Sequence, residues 1–124
     1  MSNLDLARAF IAACERKDWQ AVHASFTDDV VYHNIPMPAV KGADVAVKVL
    51  QQFMGAAEQI EWEVLSIADD GVGKVLNERV DRFTMSGGKH ISLPVCGVFE
   101  FRNAKISAWR DYFDLADFQR QMAD

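Results

Sequence analysis

Residues 74–113 read KVLNERVDRFTMSGGKHISLPVCGVFEFRNAKISAWRDYF, and apolar and β-branched residues dominate this stretch. Together with the residues just before it, the stretch contains four β-rich runs, near 60–68, 74–85, 89–102 and 105–113. The runs are separated by sequences typical of turns, namely Asp69-Asp70-Gly71, Ser86-Gly87-Gly88 and Arg102-Asn103. Consecutive strands joined by short turns predict an antiparallel meander. The apolar alternation shifts between Val64 and Leu65, which predicts a β-bulge and a curved sheet.

Helical patterns precede and follow these strands in the sequence. Ser2 and Asp5 have the spacing of a capping box, and Asp18 predicts the start of a second short helix that extends to Phe26. Gly42 and Gly55 bound a third helical pattern, a last helix is predicted at about 114–122, and a short strand is predicted at Val30-Val31-Tyr32. We therefore expect one α+β domain over residues 1–124, with helices packed on the concave face of a curved sheet and a cavity between them.

Composition favours a small-molecule partner. The net charge is -5 and the thirteen basic residues are scattered, which argues against binding to nucleic acid. No apolar run approaches the ~20 residues of a membrane span, and the N-terminus lacks the pattern of a secretory signal. Cys14 and Cys96 each lie among apolar residues without CxxC spacing, so both are interpreted as reduced core residues of a cytoplasmic protein.

Charged residues inside the predicted strands are the main functional signal. Arg79, Asp81 and Phe83 share one face of a strand because side chains alternate with a period of two. Asp111 lies between Trp109 and Phe113 on one face of the last strand in the same way. A buried carboxylate is costly unless it is paired, and one guanidinium can bridge two carboxylates. The pattern indicates a buried charge cluster on an aromatic face.

Two other interpretations remain open at this point. Arg79 and Asp81 could form a surface ion pair, with Asp111 paired to its neighbour Arg110. Tyr32 and Asn34 point the same way from the first strand, but polar residues at strand ends usually satisfy backbone groups.

No metal or cofactor is predicted. His23, His33 and His90 have no pair with the close helical spacing of a zinc site, and neither cysteine supplements them. Gly-x-Ser-x-Gly and phosphate-binding glycine motifs are also absent from the sequence.

The combination Tyr32-x-Asn34, Arg79-x-Asp81 and Asp111 resembles the catalytic pattern of the limonene-1,2-epoxide hydrolases. That family belongs to the cone-shaped nuclear transport factor 2-like, or SnoaL-like, superfamily, which includes the ketosteroid isomerases. Two further segments resemble the superfamily more broadly, Phe26-Thr27-Asp28-Asp29-Val30 and Trp109-Arg110-Asp111-Tyr112-Phe113-Asp114.

The resemblance implies a one-step, cofactor-free hydrolysis of an epoxide. Asp111 would be the general base on a water that Tyr32 and Asn34 also hold, Asp81 the general acid, and Arg79 the residue that orients both carboxylates. By strand parity and helix position, an apolar lining is predicted from Phe83, Leu93, Val95, Phe113 and Phe118. Such a lining suits a cyclic or terpene-like epoxide, and the resemblance also implies a homodimer.

Two alternatives of different classes remain. One is another enzyme on the same scaffold, such as a ketosteroid-isomerase-like or polyketide-cyclase-like protein. The other is a non-enzymatic pocket or dimer module, because fold alone does not determine function.

Overall fold

The computed structural model describes residues 1–123, which form four helices and six strands. The helices are α1 (Asn3–Glu15), α2 (Trp19–Ala24), α3 (Ala43–Met54) and α4 (Leu115–Met122). The strands are β1 (Phe26–Asn34), β2 (Val40–Lys41), β3 (Ala57–Asp69), β4 (Lys74–Met85), β5 (His90–Arg102) and β6 (Lys105–Tyr112). They form one sheet in the order β2-β1-β6-β5-β4-β3, which confirms the predicted α+β class.

The helices begin where the sequence predicts. The Ser2 hydroxyl accepts a hydrogen bond from the backbone N–H of Asp5, whose side chain accepts one from the backbone of Ser2, so the capping box is present. The Asp18 carboxylate caps α2 by accepting a hydrogen bond from the backbone N–H of Ala21. Gly42 precedes α3 with φ 105°, a backbone conformation that favours glycine. Within residues 1–123, no helix has both the length and the apolarity that crossing a membrane requires.

Strands β3 to β6 form the predicted antiparallel meander, and β1 adds to it parallel to β6. The sheet is therefore mixed. Its register shifts between Val64 and Ser66 on β3, which confirms the predicted bulge. The bulge bends the long strands, and α1 and α3 pack on the concave face against β3, β4 and β1.

The prediction that the second helix extends to Phe26 is wrong. The second helix ends at Ala24, so Phe26 is the first residue of β1, where it pairs with Ile106. The N–H of Ile106 also donates to the carbonyl of Ser25, so pairing with a distant strand overrides the local helical pattern. The short β2, which pairs with β1 at Val31 and Tyr32, was not predicted.

The core lies between the concave face and the helices. The ring of Phe10 on α1 lies 5.3 Å from that of Phe26 and 5.0 Å from that of Trp109, measured between centroids. Cys14 is buried in this core as predicted, but Cys96 is exposed. The prediction for Cys96 is wrong because the residue alternates with buried Val95 and Gly97, and therefore points to the outer face of the sheet.

Candidate active site

The five polar residues singled out in the sequence converge on the concave face. Tyr32 and Asn34 come from β1, Arg79 and Asp81 from β4, and Asp111 from β6, and all five are buried. Asn34 and Asp111 are register partners on adjacent strands. Arg79 and Asp111 belong to strands that β5 separates, so the contact between them passes over β5.

Gly97 of β5 makes this crossing possible. It is the register partner of both Asp111 and Asn77, and it lies directly beneath the contact. A Cβ atom at this position would lie 2.5 Å from Asp111 Oδ1 and 2.9 Å from Arg79 Nη1. Glycine inside a strand often marks such a close approach, so the position had a detectable signal that the sequence analysis did not use.

All five N–H groups of the Arg79 guanidinium are used in hydrogen bonds. Nε donates to Asp81 Oδ1 over 2.8 Å and Nη2 to Asp81 Oδ2 over 3.0 Å. The second N–H of Nη2 reaches Asp111 Oδ2 at 2.7 Å, while Nη1 donates to Asp111 Oδ1 at 3.3 Å and to Asn77 Oδ1 at 2.9 Å. One cation therefore bridges two carboxylates and holds both in fixed orientations.

This geometry overturns both alternative ion pairings. The side chain of Arg79 has an exposed fraction of 0%, so its pair with Asp81 is not at the surface. Arg110 pairs with Glu100 instead of Asp111.

Burial shifts the pKa values of the ionisable groups in the cluster away from those of exposed groups. Loss of hydration raises the pKa of Asp81 to about 6, and the negative charge of Asp111 adds to this effect while Arg79 opposes it. Burial lowers the pKa of Arg79, but the two carboxylates outweigh it and the net shift is upward. Burial, reinforced by Asp111, also raises the pKa of Tyr32.

Aromatic residues support Asp111 and Tyr32. The indole N–H of Trp109 donates to Asp111 Oδ1 over 2.8 Å. The Tyr32 ring stacks on Trp109 with centroids 4.4 Å apart and planes 19° apart. Asn34 donates from Nδ2 to Tyr32 Oη at 3.1 Å, so a hydroxyl and an amide lie together beside Asp111.

Asn77 was not identified from the sequence, although it lies two residues before Arg79 on the same strand face. Its amide Nδ2 donates to the carbonyl of Gly97 at 3.2 Å, which orients its oxygen towards Arg79. The alternation of side chains along the strand places it on the inner face, but it is a weaker functional signal than a charged residue because burying an amide costs less than burying a charge.

The cluster opens onto a cavity of about 20 Å³, enough for about one water molecule. Its wall contains four of the five predicted apolar lining residues, namely Phe83, Leu93, Val95 and Phe113. It also contains four apolar or aromatic residues outside that predicted set, Leu50, Phe53, Met54 and Trp62. Phe118 lies outside the wall and stacks on the wall residue Phe53, with ring centroids 5.0 Å apart.

A larger depression of about 560 Å³ lies on the outer face of the sheet. The ionisable residues in its wall, Glu78, Cys96 and Tyr112, are all exposed. The smaller cavity is the candidate active site because it holds the buried carboxylates. Residues 1–123 contain no group of three or more His, Cys, Asp or Glu side chains placed to hold a metal ion.

The curved sheet and helices define a nuclear transport factor 2-like fold. Bal32a, from a soil-derived mobile gene cassette, has this fold with a TM-score of 0.85 at 20% identity, over 98% of this chain and 96% of that one. A Mycobacterium tuberculosis LEH-like epoxide hydrolase superposes with a TM-score of 0.83 at 31% identity, over 97% of this chain and 88% of that one.

The chain belongs to the limonene-1,2-epoxide hydrolase family, since the model of that family's catalytic domain matches residues 1–124. Among curated relatives, epoxide hydrolase EphG of Mycobacterium tuberculosis is 35% identical over 109 residues, which cover 88% of this chain and 71% of EphG.

Replacing Gly97 tests whether β5 must leave room for the charge cluster. Gly97→Ala should lower the free energy of unfolding by about 1–3 kcal/mol, because the new methyl group displaces Asp111 or Arg79. Urea unfolding of Gly97→Ala, Asp111→Ala and the double variant completes a double-mutant cycle. The alanine should cost less in the Asp111→Ala background, and equal costs in both backgrounds would contradict the proposed clash.

Proposed function

We propose that this protein is an epoxide hydrolase that adds water in one step to an apolar cyclic or terpene-like epoxide and releases a vicinal diol. The observation that carries the proposal is a single buried arginine that binds two carboxylates beside a hydroxyl and an amide. Membership of the limonene-1,2-epoxide hydrolase family supports it, as does the likeness to EphG. We propose further that the substrate is an epoxide of the limonene-1,2-epoxide type.

The surroundings of the two carboxylates support different roles for them. Asp81, with its pKa raised to about 6, can carry a proton near neutral pH and is the proposed general acid. Asp111 faces Tyr32 and Asn34 and accepts N–H hydrogen bonds from Trp109 and Arg79, so it is the proposed general base.

In the proposed step, a water held by Tyr32, Asn34 and Asp111 attacks one epoxide carbon. The new carbon–oxygen bond forms from the water, the ring carbon–oxygen bond breaks, the proton of Asp81 passes to the departing oxygen, and a water proton passes to Asp111. Negative charge thereby moves from Asp111 to Asp81. Because Arg79 contacts both carboxylates, it can stabilise the charge at either end of the transfer without moving.

The chain itself supplies an acid, a base and a fixed cation, so the proposed mechanism needs no cofactor. Space is the remaining requirement. Ligand sites usually measure ~300–1,000 Å³, much more than the cavity beside Asp111. Wall side chains must therefore move to admit an epoxide. Phe53 is only partly buried, and among the residues of α4, all of them described, none is buried.

The ketosteroid-isomerase-like alternative gains no specific support from this geometry. Ketosteroid isomerases use one aspartate as a base and a second, protonated aspartate as a donor to the oxyanion. That chemistry needs no arginine that binds both carboxylates, as Arg79 does here. Neighbours described as polyketide cyclases, such as one from Xanthomonas campestris at 24% identity, share the fold.

Turnover of cyclohexene oxide and limonene oxide, with chiral analysis of the diols, tests the function. The wild type should form diols, while Asp111→Asn and Asp81→Asn should each lower the rate by about 10²–10⁴-fold, as loss of a general base or acid does. Glu78→Gln is the matched control, since Glu78 lies on β4 between Asn77 and Arg79 but is exposed on the outer face. If a folded Asp81 or Asp111 variant keeps wild-type activity, that residue does not carry the chemistry.

The pH dependence of kcat/KM tests the role of Asp81. A general acid acts only when protonated, so kcat/KM should fall as the pH rises through about 6, and by about tenfold per pH unit well above it. This fall in kcat/KM reflects the titration of the two interacting carboxylates together and not of Asp81 alone. Circular dichroism at each pH separates loss of activity from unfolding. A rate that rises or stays level between pH 6 and pH 9 would exclude Asp81 as the acid.

Isotope labelling distinguishes a general base from a nucleophile at Asp111. In one turnover with excess enzyme in oxygen-18 water, the diol should carry the label and Asp111 should not, because no ester forms. An unlabelled diol from the first turnover would mean that a carboxylate oxygen had attacked the epoxide.

We also propose that the protein forms a homodimer through the outer face of its sheet. Leu65 and Leu76 are exposed there, and charges at the margin are matched within the chain, as in the Arg110–Glu100 pair. A second copy can therefore cover the exposed leucines of this face. Light scattering should give the dimer mass, and Leu76→Glu should give the monomer. A wild-type monomer at every concentration would contradict this proposal.

A further inference from the structure

The indole N–H of Trp62 has no acceptor within the described part of the chain, residues 1–123. Trp62 is only 5% exposed, and among residues 1–123 no group lies in position to accept a hydrogen bond from Nε1. By contrast, the indole N–H of Trp109 in the same core is bound to Asp111. Buried donors are nearly always paired, so an unpaired one in a native protein calls for an explanation.

Packing alone does not explain a tryptophan at this position. The Trp62 ring lies over the Arg79 guanidinium, with Cζ 4.8 Å from the ring centroid. A phenylalanine could provide the same aromatic face without a polar atom to satisfy. The N–H is therefore free to donate to a group that enters the site from outside the chain.

Trp62 is placed where such a partner would bind. It forms part of the cavity wall and is the register partner of Asp81 on the neighbouring strand. The side chains of register partners lie side by side on one face of a sheet. A contact with α1 also holds its backbone in place, because the backbone N–H of Trp62 donates to Glu15 Oε2 at 2.9 Å.

We propose that the indole N–H of Trp62 donates a hydrogen bond to the substrate oxygen that receives the proton of Asp81. This inference rests on the proposed function and adds a residue to it. It assigns two donors of different kinds to one oxygen, a carboxylic acid that gives up its proton and an indole that keeps its own.

The two donors act together as the epoxide opens. Negative charge develops on the oxygen while its bond to carbon breaks, and the proton of Asp81 neutralises it. The Trp62 N–H stabilises that charge during the transfer and remains bonded to the product hydroxyl afterwards. Trp62 gains and loses no proton, and the balance between Asp81 and Asp111 is unchanged.

The kinetic test is Trp62→Phe, which removes the N–H and keeps an aromatic ring beside Arg79. We expect kcat on cyclohexene oxide to fall by about 10- to 10³-fold with a smaller change in KM, because the bond is strongest in the transition state. Phe83→Leu is the matched control for lost volume, since Phe83 lies in the same wall and has no polar atom. Equal losses of kcat in the two folded variants would overturn the inference.

A spectroscopic test measures binding to the wild type directly and does not rely on the activity of a variant. The chain has three tryptophans and therefore three indole N–H signals in a proton–nitrogen spectrum. The Trp62 signal is identified by its loss in Trp62→Phe, and Trp19 provides an internal control on α2. At concentrations of cyclohexane-1,2-diol that saturate product inhibition, the Trp62 proton should move downfield more than the Trp19 proton. A Trp62 signal that does not move would overturn the inference.

Failure of the inference and failure of the proposed function give different results. If the wild type forms diols while Trp62→Phe keeps its kcat and the Trp62 signal does not respond to diol, only the role of Trp62 is lost. If the wild type forms no diol from any epoxide, the proposed function fails and the role of Trp62 fails with it.

Discussion

The guanidinium of Arg79, held between two carboxylates in an apolar interior, is the interaction on which the rest of the site depends. Burying a guanidinium together with two carboxyl groups is costly unless every polar atom finds a partner. The sheet supplies those partners through Asn77 beside Arg79 and Trp109 beside Asp111. It supplies the space through Gly97, and the aromatic cover through Trp62. Each of these residues lies on the concave face because side chains alternate along a strand.

The same alternation gives each central strand two unrelated surfaces. On β4, Asn77, Arg79 and Asp81 point to the cavity, whereas Leu76 and Glu78 point outwards. The inner surface carries the proposed chemistry and the outer one the proposed contact between copies. A substitution on one surface can therefore leave the other intact, which is why Glu78 serves as a control for Asp81.

Much of the fold was predictable because it follows from local patterns. Turn residues divided the strands, caps marked the helix starts, and parity placed Arg79, Asp81 and Asp111 on buried faces. The errors arose where contacts between residues distant in the sequence determine the local structure. Pairing with Ile106 makes Phe26 part of a strand, and the position of α4 places Phe118 behind Phe53. Gly97 is important because it has no side chain, which leaves room for Asp111 and Arg79. These neighbours can be identified only once the register of the strands is known.

The passage of Arg79 over Gly97 also affects how the sheet assembles. Shifting β5 by one residue would place the side chain of Cys96 or Val98 where the glycine now lies, and would turn its apolar residues towards solvent. The guanidinium could then reach only one carboxylate, and the other would be buried without its cation. A misaligned sheet thus pays an electrostatic penalty in addition to poor packing. The residues proposed for chemistry also discriminate between the native strand alignment and its nearest competitors.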